Sequence, residues 1–105
     1  MTILKDTFKA WIDKQPPGPN KLIVVGKIEV NTGGWKATLK PAEPQGINPD
    51  ILILQLATIE PTGNVIQVIS TIDARYEQSP SARDYTDVTI MHGATSFTIP
   101  VTTAS

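Results

Sequence analysis

Hydrophobic and polar residues alternate with a period of two along most of this chain, the spacing at which successive strand side chains point to opposite faces. Leu22, Ile23, Val24 and Val25 lead into Ile28 and Val30, which alternate with Lys27 and Glu29 and predict a strand over 22–30. Trp35, Ala37 and Leu39 alternate with Lys36, Thr38 and Lys40 in a second run. Between the two runs Asn31, Thr32, Gly33 and Gly34 tolerate positive φ, so these strands are expected to pair as a hairpin. Residues 41–49 hold three prolines, which remove ladder donors and restrict their neighbours, and they read as a loop crossing to a new part of the fold. Residues 51–59 are apolar on both faces at first, as in a central strand with one face in the core and the other covered by loops or neighbours.

After a turn at 60–64 the alternation resumes over 65–76, with Ile66, Val68, Ile72, Ala74 and Tyr76 on one face. Residues 77–83 read as an exposed loop, and the runs 85–91 and 96–101 are joined by His92, Gly93, Ala94 and Thr95 in a closing hairpin. Pro100 requires an edge or a strand end, because it has no N–H to give a ladder. The first segment fits two periods. Leu4, Phe8, Trp11 and Ile12 lie on a helical stripe, whereas Phe8, Ala10 and Ile12 form a strand face with Trp11 outside; the strand is the reading adopted. The total is about seven strands in a single domain over 1–105, the count and spacing of an antiparallel β-sandwich.

Composition supports an all-β chain. Thirteen Ile, seven Val and thirteen Thr are β-branched and pack well on a pleated surface, while nine Pro and seven Gly fall mostly between the apolar runs. The absence of cysteine removes disulfides, thiolate metal sites and a cysteine nucleophile. A net charge of −1 gives no global attraction to nucleic acid or to an anionic membrane, so neither is expected as a partner. Lys5, Asp6 and Lys9 interrupt the first nine residues, which therefore lack the apolar run of a secretory signal and suggest a cytoplasmic protein.

The seven-strand pattern resembles an immunoglobulin-like or fibronectin-like sandwich. Trp35 and Tyr85 fall on the strands where immunoglobulin domains carry a core Trp and a Tyr. The sequence departs from that family in having no cysteine pair, in placing Trp35 at the start of its strand, and in having Asp87 two residues after Tyr85. No antibody-like role follows from the resemblance. Asn31, Thr32, Gly33, Gly34 and Trp35, followed by Pro44, Gln45, Gly46, Ile47, Asn48 and Pro49, also resemble a pattern in small uncharacterised bacterial proteins, with no activity attached.

Candidate chemistry is sparse. His92 is the only histidine; a triad would need it beside Ser96 or Ser79 and Asp84 or Asp87, but no G-x-S-x-G elbow is present and a hairpin-turn residue is the simpler reading. Asp84 and Asp87, with Asp73 and Glu77 on the preceding strand, could bind a hard cation, against which stands a solvated acidic rim without a calcium-loop pattern. Asp84, Asp87 and His92 together would be the seat of any metal-assisted hydrolysis. Gly33 and Gly34 match no phosphate-loop motif and read as turn residues. All seven lysines lie in residues 1–40, giving that segment +4 against Asp6, Asp13 and Glu29, while two arginines and seven carboxylates leave the rest at −5. Outward Lys27, Lys36 and Lys40 protect a sheet edge, or else offer a basic face to an acidic partner or a second copy.

The expectation is a non-catalytic binding or structural module, a protein-interaction domain in a bacterial assembly, with no enzyme activity and no cofactor. Its recognition surface would be an edge strand, also the route to a homo-oligomer, or loops containing Asn31, Gly33, Gly34, Trp35, Pro61, Thr62, Gly63, Asn64 and His92. Trp11 joins them as an outward aromatic. Trp11 with Trp35 would make a carbohydrate-stacking platform, and the loop around Pro61, Thr62, Gly63 and Asn64 would suit a protease inhibitor.

Overall fold

A computed structural model describes residues 1–14, 16, 18–63 and 67–104, the last of these by its backbone. The described residues form seven strands and no helix: β1 (Thr2–Asp13), β2 (Lys21–Val30), β3 (Lys36–Pro41), β4 (Ile51–Ile59), β5 (Ser70–Gln78), β6 (Asp87–His92) and β7 (Thr95–Ala104). Among them, therefore, no helix is long and apolar enough to cross a membrane.

All seven belong to one hydrogen-bonded sheet in the order β3-β4-β6-β7-β1-β2-β5. The sheet curls until its terminal strands β3 and β5 approach each other, which makes a nearly closed barrel with no ladder across the seam. The expected antiparallel sandwich is changed in two respects: the sheet is continuous, and two of its joins, β4 to β6 and β1 to β7, are parallel. Continuity comes from β7. Residues 95–100 of β7 pair with β6, and Val101 onward pairs with β1.

The inward faces follow the period-two reading. Phe8, Ala10 and Ile12 from β1, Leu22, Val24, Ile28 and Val30 from β2, Leu52, Leu54 and Leu56 from β4, and Val88 and Ile90 from β6 form one buried cluster. The ambiguous first segment is a strand with Trp11 on its outer face. Its pairing with β2 shifts register between Leu4 and Lys9, where four residues of β1 pass the single residue Gly26. Thr7 braces this bulge. Its hydroxyl donates to the Leu4 carbonyl at 2.6 Å and accepts from the Lys27 N–H at 2.9 Å.

The hairpin expected between 22–30 and 35–40 does not form. Both runs are strands, but β2 pairs with β1 and β5, whereas β3 pairs with β4. The connection is pinned over the end of the barrel instead, with Thr32 buried and Trp35 packed against the core. Conversely, the proline-rich 42–50 segment turns back, so β3 and β4 are antiparallel neighbours. Gln45 carries the pairing past Pro41: its Oε1 accepts from the Ile53 N–H at 2.9 Å, and its Nε2 donates to the Ala42 and Ile53 carbonyls at 2.6 and 2.9 Å. Replacing Gln45 by alanine removes all three bonds and should lower stability by about 1 kcal/mol in a denaturant titration.

The strand expected from residue 65 begins at Ser70 and runs on to Gln78; residues 65 and 66 lie outside the described residues, and Val68 and Ile69 are exposed. The closing hairpin between β6 and β7 is present, with His92 paired to Thr95.

Candidate functional site

Strand directions sort the loops. β2, β4 and β6 all run the same way, since β2 and β6 are antiparallel to β1 and β7, which are mutually parallel, and β4 is parallel to β6. Their C-terminal ends therefore bring residues 31–35, 60–63 and 93–94 to one end of the barrel, here termed the upper end. Asn31, Gly33, Gly34, Trp35, Pro61, Thr62, Gly63 and His92 thus share one end, whereas Asn64 lies outside the described residues. Gly34 has φ +90, and a Cβ there would meet the Pro61 ring at 3.0 Å, so glycine lets the first two loops touch.

Trp35 serves this end from within. It packs against the core, and its indole Nε1 is buried without a hydrogen-bond partner. The same end carries large apolar side chains open to solvent: Ile59 at 62%, Val68 at 53% and Ile69 at 74% exposure. The period-two pattern misses the exposure of Val68, which continues the inward face of a strand that starts only at Ser70.

The lower end is tied differently. Ser81 N–H donates to the Asn20 carbonyl at 2.7 Å, Thr86 N–H to the Asp50 carbonyl at 2.8 Å, and ion pairs join Lys14 to Asp84 at 3.4 Å and Arg83 to Asp50 at 3.8 Å. These bonds cross-link three loops that are separate in sequence.

Trp11 and Trp35 are not brought together. Trp11 pairs with Ile23 and Thr102 on the outer wall towards the lower end, and Trp35 sits at the upper end, so the two-indole platform does not form. Trp11 instead lines a groove of about 400 Å³ with Phe8, Lys9, Ala10, Ile99, Pro100 and Thr102. In the loop proposed for protease inhibition Pro61 is half-buried against Gly34, Thr62 and Gly63 are exposed, and Asn64 lies outside the described residues.

The acidic residues are also dispersed. Asp87 begins β6 and His92 ends it, five residues or roughly 16 Å apart at strand spacing. Asp84 is occupied by Lys14, Asp73 by Lys27 at 3.0 Å, and Glu77 by Lys21 at 3.7 Å and Arg75 at 3.2 Å. Among the described residues no cluster of three His, Asp or Glu side chains could hold a metal ion. The charge asymmetry is partly resolved within the molecule for the same reason: β2 lies beside β5, and Lys27 stands directly opposite Asp73. Lys36 and Lys40 remain exposed on the terminal strand β3.

In comparisons with known proteins, the chain matches no family model, no curated protein and no solved structure.

Proposed function

We propose that this protein is a non-catalytic binding module that recognises another protein, as part of a larger assembly, through the upper end of its barrel. The observation that carries the reading is the set of three exposed aliphatic side chains, Ile59, Val68 and Ile69, at the end where 31–35, 60–63 and the β6–β7 turn emerge. Large exposed apolar residues on a scaffold are characteristic of interaction surfaces; the lower end, whose loops are bonded to one another, carries one such residue, Ile47, against three here.

The test is a double substitution, Ile59→Ser with Ile69→Ser, on side chains whose exposure leaves the fold unaffected. Equal thermal midpoints are expected for variant and parent, with loss by the variant of at least tenfold in capture of a protein retained by the parent. Equal capture by both, or none by either, refutes the reading. A second reading, carbohydrate binding, is favoured by one observation, the indole of Trp11 in the wall of an open groove; it expects saturable quenching by a soluble oligosaccharide.

A further inference from the structure

The groove beside Trp11 lies where two strands part. β1 and β7 are hydrogen-bonded only from Ala10 opposite Val101 to Asp13 opposite Ala104. Towards the upper end they separate: β1 pairs with β2 alone at residues 2–4 and again at Lys9, with residues 5–8 in the bulge between, residues 95–100 of β7 pair with β6 alone, and no ladder joins β1 to β7 there. The fork thus has two open strand edges facing one another.

The polarity of the β7 edge follows from its other partner. Val101 N–H donates to the Thr86 carbonyl at 2.9 Å, and Ile99 and Phe97, in the same phase, stand opposite Val88 and Ile90. In an antiparallel ladder alternate residues exchange both bonds with the partner, so the main-chain groups of Ser96 and Thr98 point the other way, into the fork. Pro100 has the same phase. Its missing donor explains how a proline fits within β7, because its nitrogen faces the side without a ladder.

Side chains floor the fork where backbone pairing is absent. The Phe8 and Phe97 rings meet edge to face with centroids 5.2 Å apart. Lys5 Nζ lies 5.6 Å from the centre of the Phe97 ring, and Lys9 lines the groove; neither has a carboxylate partner among the described residues. At the apex the groove by Trp11, Ile99 and Pro100 is large enough for an aromatic or branched aliphatic side chain.

We propose that the fork between β1 and β7 binds an extended peptide strand, which pairs with the free edge of β7 at Ser96 and Thr98 and seats one large apolar residue beside Trp11. Unpaired N–H and C=O groups at strand spacing are satisfied by another backbone, and the apolar apex takes one side chain of that backbone. Lys5 and Lys9, outnumbering Asp6 along this stretch, select acidic residues beside the apolar anchor. This site is separate from Ile59, Val68 and Ile69 and stands or falls independently of them.

Two measurements on the whole protein test the proposal. Amide hydrogen exchange of the free protein is expected to show Ser96 and Thr98 exchanging at least a hundredfold faster than Phe97 and Ile99; equal protection overturns it. Selection from a random nonapeptide library, followed by titration of the enriched peptide, is expected to shift Trp11 emission and to slow exchange at Ser96 and Thr98. The same peptide N-methylated at alternate residues keeps its side chains but loses donors, and should bind at least tenfold more weakly. Thr98→Pro, which removes one open-edge N–H outside the β6 ladder, should do likewise, with β6 amide signals reporting an intact fold. Should Thr98→Pro not fold, the N-methylated peptide alone decides. Failure to enrich any peptide, equal binding of the N-methylated form, or quenching of Trp11 by an oligosaccharide without protection of Ser96 and Thr98 overturns the proposal. The Ile59→Ser, Ile69→Ser protein should bind the peptide as the parent does.

Discussion

Truncation of Leu54 to alanine is expected to remove about 3–5 kcal/mol of stability. Leu54 is 0% exposed, and it stands between Pro41 of β3 and Ile90 of β6, itself 0% exposed. The lost side chain leaves a cavity that strands paired on both flanks cannot collapse to fill, so the transfer and cavity terms add. Against a total of about 5–15 kcal/mol for a domain, this is a large share. A urea titration should show a lower midpoint at unchanged slope. Ile59, five residues along the same strand and 62% exposed, provides the contrast: Ile59→Ala should change stability by no more than about 0.5 kcal/mol. Equal costs at the two positions would mean that β4 does not bury the face described.

Gly26→Ala is expected to cost roughly 2–3 kcal/mol, lowering the thermal midpoint by about 10 °C or more. A methyl group there would overlap the Phe8 ring at Cγ, Cδ2 and Cε2. The ring has little room to withdraw, being 5% exposed and held edge to face by Phe97. The bulge that puts Phe8 over Gly26 is itself braced by Thr7. A double-mutant cycle separates this clash from a general loss of backbone freedom. In a Phe8→Leu background the added cost of Gly26→Ala should fall below about 1 kcal/mol, whereas an unchanged cost would place its origin elsewhere.

These two positions differ in how far they could be read beforehand. Leu54 sits in an apolar run bounded by Pro49 and Pro61, and strand spacing puts Leu52, Leu54 and Leu56 on one face. Gly26 interrupts the apolar run 22–30 with no local reason for being glycine. Its reason is Phe8, which is remote in sequence and reaches it only through a register shift that alternation does not encode.

The candidate site divides in the same way. Turn residues at 31–35, 60–63 and 92–95 were legible as loops because Gly, Pro and Asn carry local backbone preferences. That they share an end depends on the parallel relation of β4 and β6, which no local signal records. Trp11 was legible as an outward residue from the burial of Phe8, Ala10 and Ile12 beside it. Its groove depends on the strand opposite, where β7 exchanges β6 for β1.

By itself the sequence determined that the chain is all-β, where six of its strands lie to within a few residues, and which faces turn inward where the alternation is clean, because period-two alternation and turn chemistry are properties of neighbouring residues. Tertiary structure alone decided which strands pair, and it separated β2 from β3 while joining β3 to β4. It also curled seven strands into one sheet and opened the fork between β1 and β7. Pairing is a contest among surfaces distant along the chain, decided by how the inward faces fill a common core, and no stretch of sequence contains both sides of that contest.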